Sequence, residues 1–171
     1  LTVVSLVKQG FTADVSAESL ANTNIQHYSS GTKVNLEKAL TLATRLGGHM
    51  VSGHVDGVGN ILDKTNDGRS IRFDIESTRS LGKYIANKGS ITIDGVSLTV
   101  TGRTENSFSL NIVPHTVAET TIQSYLKGQS IHIEVDLIAR YTERLLDAKA
   151  VDQLKESSKL DQKFLSEHGF I

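Results

Sequence analysis

An internal repeat constrains the fold of this chain more than any other feature of its sequence. Leu1-Thr2-Val3 recurs as Leu98-Thr99-Val100, and further identical pairs keep the same offset of 97 residues without a gap. These pairs include Phe11 with Phe108, Tyr28 with Tyr125, Gly31 with Gly128 and Glu37 with Glu134. One register held from Leu1 to Leu40 indicates two copies of one module, and the first copy begins within its own motif.

The second copy of the motif lies in a predicted β-hairpin over residues 92–100. Two apolar, β-prone runs meet at Asp94-Gly95. Asp-Gly between such runs favours a tight turn, because the turn needs positive φ angles that glycine adopts without steric strain. We therefore expect this hairpin to lie at the centre of the second module.

Short β-prone runs dominate both modules. The pattern predicts a half-buried strand over 34–37, a linker with helical character over 38–46, a long bent strand over 50–62 and a helix over 78–87. About six short strands in a module are typical of a small closed antiparallel barrel. The predicted fold class is therefore all-β, with two homologous six-stranded antiparallel Greek-key barrels, the first incomplete here, and a C-terminal α-helix.

Beyond Asp136 the pattern becomes helical. Ile138, Tyr141, Leu145 and Ala148 follow helical spacing, and a second short helix is predicted over 160–170. The stripe either packs on its own domain or forms an oligomer interface, and the pattern does not separate the two. The expected domains are 1–46, the C-terminal half of the first barrel; 47–137, the second barrel; and 138–171, a helical segment for oligomerisation.

Composition narrows the function classes. The net charge of −1 gives no basic field for nucleic acid, and the lack of cysteine excludes disulfides and thiolate metal sites within this stretch. No apolar run approaches the ~20 residues of a membrane span. We therefore expect neither a nucleic-acid nor a membrane partner, and take the cytoplasm as the default location.

Each polar candidate residue also has an ordinary structural explanation. His49 and His54 fall on opposite faces of an extended strand, so a shared metal is not expected. Ser97 fits a hydrogen-bonded strand hydroxyl, Lys88 a favourable charge at a helix C-terminus, and Asp136 an N-cap. From the residues alone, the chain is a tandem-barrel ligand-binding protein.

Four motifs carry a family resemblance. They are Gly-Gly-His-Met-Val-Ser-Gly-His-Val-Asp at 47–56, Asp-Gly-Val-Ser-Leu-Thr-Val at 94–100, Val-Pro-His-Thr at 113–116 and Glu-Val-Asp-Leu-Ile-Ala-Arg-Tyr at 134–141. In this order, and over essentially the whole chain, they resemble riboflavin synthase of the α-chain type.

The resemblance implies an activity and an assembly. In that family two molecules of 6,7-dimethyl-8-ribityllumazine give riboflavin and 5-amino-6-ribitylaminouracil by transfer of a four-carbon unit, without a metal or redox cofactor. Two barrels and a C-terminal helix assemble a homotrimer, and each site is shared between the first barrel of one subunit and the second barrel of its neighbour. The chemistry requires proton transfer at an acidic methyl group, a nucleophile that adds to the ring, and two aligned flat substrates.

The resemblance also assigns residues. Asp136, Ser97 and His54 match positions with proposed catalytic roles. Substrate-binding positions in the second barrel are Gly53, His54, Val55, Lys88, Ser97, Leu98, Thr99, Asn111, Ile112, Val113, Pro114, His115 and Thr116. Those in the first barrel are Leu1, Thr2, Asp14, Val15, Ser16, Ala17, Glu18 and Ser19.

Two alternatives and one expectation about chain length accompany this assignment. The alternatives are a non-catalytic lumazine-binding antenna protein of the same fold and a flavin-binding barrel of a reductase. The motifs kept in the second barrel favour the enzyme over the first, and the tandem repeat disfavours the second. Because the second module runs about 48 residues before its own Leu-Thr-Val motif, we also expect a segment of that length to precede Leu1 in the natural protein.

Overall fold

The computed structural model describes residues 1–157 and 162–169. The chain divides into two compact units, Leu1–Leu137 and Ile138–Ile171. The strands are β1 (Val3–Val7), β2 (Gly10–Ala13), β3 (Gly57–Asp67), β4 (Ser70–Glu76), β5 (Ser90–Ile93), β6 (Val96–Arg103), β7 (Ser107–Ile112) and β8 (Ser130–Val135). The helices are α1 (Ala17–Asn22), α2 (Arg79–Gly82), α3 (Pro114–Glu119), α4 (Leu137–Ser157) and α5 (Gln162–Glu167), with 3-10 helices at Asn24–His27 and Thr121–Ser124.

Six strands of the second module close into a barrel, which confirms the predicted fold class. Their order is β3-β4-β7-β6-β5-β8, and every paired neighbour is antiparallel. The chain crosses from β4 to β5 without pairing them, as a Greek key requires. The barrel interior is apolar and almost fully excluded from solvent, with Phe73, Phe108, Ile91 and Ile133 each no more than 1% exposed.

The central hairpin forms as predicted. β5 and β6 pair with Ile93 opposite Val96, and Asp94 and Gly95 adopt positive φ angles of 43° and 84°. Two consecutive positive φ values define the turn whose twist matches that of the flanking strands. The turn therefore fixes which residues of β5 and β6 stand opposite one another.

The structure repeats with the sequence offset. α1 and α3 are related by 97 residues at both ends, and so are the two 3-10 helices. The first module adds only the two-stranded β1–β2 ribbon to these elements, consistent with an incomplete barrel. The ribbon leaves Leu1 and Leu6 70% and 82% exposed.

Two predictions for the first module were wrong. Residues 34–37 form no strand, and residues 38–46 form no helix but an irregular segment with a turn at 42–44. The repeat equivalent of 34–37 is β8, which is a strand because it pairs with β3 and β5. Among the described residues, the first module shows only β1 and β2, and it contains no equivalents of β3 and β5. Residues 34–37 therefore have no strand beside them of the kind that pairs with β8.

Two predictions for the second module overestimated the length of an element. Regular strand pairing begins at Gly57 rather than at residue 50, and α2 spans only Arg79–Gly82 of the helix expected over 78–87. The expected bulge is present between Ile61 and Asp63. Residues 50–56 form no helix or strand, and backbone N–H groups of Ser52 and Gly53 donate to the Glu134 side chain instead of to a neighbouring strand.

Asp94 connects the two modules through a partly buried hydrogen-bond network. The Tyr125 hydroxyl donates to Asp94 Oδ2, and the His132 backbone N–H donates to Asp94 Oδ1 at 2.8 Å. His132 Nε2 accepts from the backbone N–H of Asn24 at 2.8 Å, so its proton sits on Nδ1, which lies 3.1 Å from Asp94 Oδ1. The first module is thereby attached to β8.

Asn35 makes a second connection between the modules. Its Nδ2 donates to the Asp94 carbonyl at 2.8 Å, and its Oδ1 accepts from the Thr121 N–H at 2.8 Å. Asn35 thus bridges the hairpin turn and the 3-10 helix at Thr121–Ser124. The domain limits at 46 and 137 remain a prediction.

The C-terminal unit is helical, as expected. α4 carries Ile138, Tyr141 and Leu145, each more than 60% exposed, and α5 occupies part of the segment predicted over 160–170. Leu160 and Phe170, which belong to that prediction, lie outside the described residues. Within the described part, no helix is both long enough and apolar enough to cross a membrane.

The Asp94 network predicts a loss of stability at alkaline pH. Burial first, and then the charge of Asp94 and the hydrogen bond to it, raise the pKa of Tyr125 well above its ordinary value of 10.0. The folded state therefore keeps a proton that the unfolded state releases. This contribution to the free energy of unfolding is fully present below about pH 10 and is lost as the pH rises through the folded-state pKa.

Denaturant titrations between about pH 9 and pH 11 would measure this slope, with the wild type falling more steeply than Tyr125→Phe. Tyr141, which is 64% exposed, supplies the control variant Tyr141→Phe, which should keep the wild-type slope. Equal slopes for wild type and Tyr125→Phe would contradict the prediction.

Candidate functional site

A row of polar side chains crosses three neighbouring strands of the barrel. Thr92 of β5 pairs with Glu134 of β8 on one side and with Ser97 of β6 on the other. Residues that stand opposite one another in an antiparallel pair point to the same face. Because the flanking Ile91 and Ile93 belong to the core, the row lies on the outer face of the barrel.

A segment of irregular backbone covers this row. Thr92 is 1% exposed and Glu134 is 6% exposed, although both face away from the barrel interior. Residues 48–53, which precede β3, contact all three members of the row. A surface that strand alternation makes solvent-facing is thereby buried.

His49 joins two members of the row. Its Nδ1 lies 2.7 Å from Ser97 Oγ, and its Nε2 lies 3.2 Å from Thr92 Oγ1. Its backbone N–H also donates to Ser97 Oγ at 3.3 Å. An imidazole nitrogen in contact with a serine hydroxyl is the arrangement that lets histidine accept or return a proton. The structure therefore places the His49 imidazole in hydrogen-bonding contact with the Ser97 hydroxyl.

Gly48 allows this close approach. A Cβ atom added at Gly48 would lie 2.4 Å from Ser97 Oγ and 2.8 Å from Ser97 Cβ. Both distances are shorter than any van der Waals contact between these atoms. The second glycine of the Gly47-Gly48-His49 motif is thus required where the segment passes over β6.

Glu134 fixes the other end of the covering segment. Its Oε1 accepts from the Ser52 N–H and the Ser52 hydroxyl, both at 2.7 Å, and its Oε2 accepts from the Gly53 N–H at 3.0 Å. Gly53 has a φ of +77°, so the chain turns there, and His54 follows directly. The His54 side chain is exposed, and within the described part of the chain no hydrogen bond joins it to Ser97.

Lys88 and Thr99 lie at the end of the β5–β6 hairpin that is remote from its turn. The backbone N–H of Lys88 donates to the Val100 carbonyl at 2.8 Å, and Lys88 has a φ of +64°. Both side chains are exposed, whereas Leu98 packs partly against the core. The ammonium of Lys88 therefore extends from a fixed backbone position near the rim.

Asn111 and the residues after it lie at the C-terminal end of β7, which the antiparallel β6–β7 register places toward the start of β6 and away from Lys88. Asn111 Nδ2 donates to Asp67 Oδ2 at 2.9 Å, and Ile112 is buried. Val113 is the N-cap of α3, and Pro114 occupies its first turn. His115 is exposed and Thr116 is half-buried.

The neighbouring edge of β4 carries a polar cluster of its own. Asp74 accepts from the Ser109 hydroxyl at 2.5 Å and from Arg72 at 3.0 Å. Burial opposes ionisation of Asp74, but the hydrogen bonds from Ser109 and Arg72 and the charge of Arg72 outweigh it, so its pKa is lowered. This pairing accounts for the cluster without a ligand.

The first-module candidates occupy equivalent places in the repeat. Leu1 and Thr2 precede β1, residues 14–16 connect β2 to α1, and residues 17–19 begin α1. With the offset of 97, residues 14–19 correspond to 111–116, so both modules place their candidates at the start of equivalent helices. Ser16 has a structural role as well, because its Oγ accepts from the Ser19 N–H at 3.1 Å and caps α1. The structure joins no first-module candidate to the Ser97 row by a hydrogen bond among the described residues.

Asp136 lies between β8 and α4. It is half-buried, follows the Val135–Ile91 pair, and makes an interaction of its own. It thus stands two residues beyond Glu134 at the same end of the barrel strand.

Sequence reasoning did not identify Glu134 and Thr92 as functional candidates. Each alternates with buried residues along its strand, and such alternation predicts a solvent-facing side chain. The one sequence signal that singles out Glu134 is its identity with Glu37 in the repeat, together with its place at the start of the 134–141 motif. Only the covering segment shows that both side chains are buried.

The space at Gly48 gives a direct test of the covered row. Gly48→Ala should lower the free energy of unfolding by about 1–3 kcal/mol, because the new methyl group displaces Ser97 or lifts the segment. It should also break the hydrogen bond between His49 and Ser97, which the ¹⁵N shifts of the His49 ring report. Gly47→Ala is the matched control, since a Cβ at Gly47 meets nothing within 4 Å. Equal effects of the two variants would refute this account.

Among the described residues, no group of three or more histidine or carboxylate side chains is arranged to hold a metal ion. This finding agrees with the hydrogen-bonded character of the row, in which each polar atom has a protein partner.

Comparison with known proteins gives consistent results. The family model of the lumazine binding domain matches residues 1–39 and 52–136. The riboflavin synthase of Photobacterium phosphoreum is 47% identical over 172 residues, which cover 100% of this chain and 78% of that protein. The riboflavin synthase of Bacillus subtilis (strain 168) is 39% identical over 170 residues, which cover 99% of this chain and 78% of that protein.

Solved structures share the fold. The crystal structure of LumP complexed with 6,7-dimethyl-8-(1'-D-ribityl) lumazine matches with a TM-score of 0.69 and 22% identity over 79% of this chain and 72% of that chain. The LumP complex with riboflavin matches with a TM-score of 0.68 and 25% identity over 79% of this chain and 73% of that chain. With a family model that covers more than half of its residues and relatives this similar along its whole length, the chain belongs to the riboflavin synthase family.

Proposed function

We infer that this chain is a riboflavin synthase. One molecule of 6,7-dimethyl-8-ribityllumazine gives a four-carbon unit to a second molecule; the donor becomes 5-amino-6-ribitylaminouracil and the acceptor becomes riboflavin. The observation that carries the proposal is the contact between two family motifs. The 47–56 segment lies across β6, which carries most of the 94–100 motif, and His49 forms a hydrogen bond with Ser97 where the two motifs meet.

The reaction consumes two identical substrates and needs no external oxidant. A base must remove a proton from the acidic methyl group of one lumazine, and a nucleophile must add to the ring of the other. We propose Ser97, His54 and Asp136 for these roles. Ser97 is supported by its hydrogen bond to His49, and His54 by its exposed position beside the anchored Ser52-Gly53 turn. Orientation of the two flat rings supplies much of the acceleration in such reactions.

Each module is proposed to hold one lumazine. In the second module the pocket is formed by residues 53–55, Lys88, residues 97–99 and residues 111–116. In the first it is formed by residues 1–2 and 14–19. The equivalence of α1 and α3 supports this pairing, because two related surfaces suit two copies of one ligand. A homotrimer in which modules of different subunits face one another, and a cytoplasmic location, belong to the same proposal.

A non-catalytic lumazine-binding protein is the second candidate. It is favoured by the fold shared with LumP, which is complexed with lumazine and with riboflavin in the solved structures. The His49–Ser97 contact favours the enzyme, because ligand binding alone does not require a base beside a hydroxyl. Incubation with the lumazine separates the two: the enzyme forms one riboflavin for every two lumazines consumed, whereas the binding protein shifts the lumazine spectrum without forming product.

Substitution of Asp136 tests its proposed role. Asp136→Ala should lower turnover by at least ~10²-fold if the carboxylate transfers protons. The control is Asp63→Ala, which removes a 54% exposed carboxylate elsewhere on β3 and should leave turnover unchanged. Near-normal turnover of Asp136→Ala with a lowered melting temperature would limit Asp136 to capping α4.

The exposed apolar stripe of α4 tests the proposed homotrimer. Leu145→Glu places a charge in the stripe formed by Ile138, Tyr141, Leu145 and Ala148, and should convert trimers to monomers in sedimentation velocity. Arg144→Glu alters the neighbouring exposed position and should leave the trimer intact. A trimer that survives Leu145→Glu would rule the stripe out as the subunit interface.

A further inference from the structure

Glu134 is a buried carboxylate whose partners are all neutral. It is 6% exposed, and its oxygens accept one hydroxyl and two backbone N–H groups at 2.7–3.0 Å. Burying a charge is costly unless hydrogen bonds replace its hydration. All three donors belong to Ser52 and Gly53, so these hydrogen bonds of the carboxylate all go to one short turn.

That turn has no regular secondary structure that would hold its shape. Residues 51–56 form no helix or strand, and the positive φ of Gly53 is available without strain in many alternative conformations. The next fixed point along the chain is Asp56, whose N–H donates to the Ile133 carbonyl at 2.8 Å and whose Oδ2 accepts from the Val135 N–H at 2.6 Å. His54 lies between these two attachments, and its side chain is exposed and makes no hydrogen bond or ion pair within the described part of the chain.

The strand register ties this turn to Ser97. Glu134 pairs with Thr92, and Thr92 pairs with Ser97, so the two ends of the row are separated by two strand spacings, about 10 Å. One end carries the His49–Ser97 contact, and the other carries the turn that leads into His54. A rigid sheet thus sets the distance between the two groups.

We propose that Glu134 is a positioning residue, which holds residues 52–53 so that His54 stands at a fixed place relative to Ser97. This proposal rests on the proposed function, in which His54 and Ser97 both act on the lumazine. Glu134 does not touch the substrate, because the covering segment lies between the carboxylate and solvent.

The direct test is Glu134→Gln. The amide keeps the size of the side chain but replaces one acceptor oxygen with an NH₂ group, which faces N–H donors and repels the turn. A displacement of about 1 Å at a reacting group lowers turnover by up to about 10²-fold. We therefore expect kcat to fall by about 10- to 100-fold. KM should change less, since only residues 53–55 of the proposed pocket are displaced, while Lys88, residues 97–99 and residues 111–116 stay in place. Glu76→Gln is the matched control, because Glu76 is exposed and accepts from Asn60 at 2.8 Å on the outer surface.

A milder variant covers the case in which Glu134→Gln fails to fold. Ser52→Ala removes the hydroxyl donor but leaves both backbone N–H groups on the carboxylate. It should fold, as far-ultraviolet circular dichroism would show, and lower kcat by a smaller factor than Glu134→Gln. Unchanged kcat in both Ser52→Ala and a folded Glu134→Gln would overturn the proposal, even if their melting temperatures fell.

An NMR measurement separates this proposal from the proposed function. The ring resonances of His54 should shift in Glu134→Gln and stay at wild-type values in Glu76→Gln. If the wild type binds lumazine but makes no riboflavin, the enzyme assignment fails while the His54 resonances still decide whether Glu134 positions the turn. If the His54 resonances are unchanged in Glu134→Gln, the positioning role is wrong whatever the activity.

Discussion

The arrangement of this barrel depends on the register that the Asp94-Gly95 turn imposes on β5 and β6. A shift of one residue along either strand would move every side chain to the opposite face. Ser97 would then point into the apolar core, and the row formed with Thr92 and Glu134 would not exist. Asp94 stabilises this register in two ways. Its backbone adopts the positive φ of the turn, and its carboxylate accepts hydrogen bonds from Tyr125 and His132 on neighbouring elements.

Burial of the row follows from this register. Three polar side chains in a line present hydroxyl and carboxylate groups to whatever crosses the sheet, and residues 48–53 supply matching donors and an imidazole. Hydrogen bonds with the Ser97 and Glu134 side chains hold the two ends of the segment. Hydrogen bonds are directional, whereas apolar contacts tolerate sliding. The geometry between His49 and Ser97 is therefore set within narrow limits.

Local patterns in the sequence were sufficient for the elements that depend on local chemistry. The 97-residue repeat, the hairpin at Asp94-Gly95 and the six strands of the second barrel follow from turn residues and alternation. The failures involve partners that are distant in sequence. Residues 34–37 have the composition of a strand but no neighbour to pair with, and residues 50–56 have β-forming side chains but bind the outside of a sheet.

The candidate site shows the same division. Ser97, His54 and the rim residues were recognisable from their motifs, whereas Glu134 was interpretable only after the covering segment had been located. Strand periodicity predicts which face of the sheet a side chain occupies, but it does not predict which other segment covers that face. Two outward-facing polar residues can differ completely in exposure, as Glu134 and Thr99 do.

The missing side chain at Gly48 has an evolutionary consequence. The space that a Cβ would need is already filled by Ser97, so one small volume is shared by two motifs from distant parts of the chain. A larger residue at either position is tolerated only if the other shrinks or the backbone moves. The two motifs are therefore not free to drift separately, and a lineage that altered one would be expected to carry a compensating change in the other.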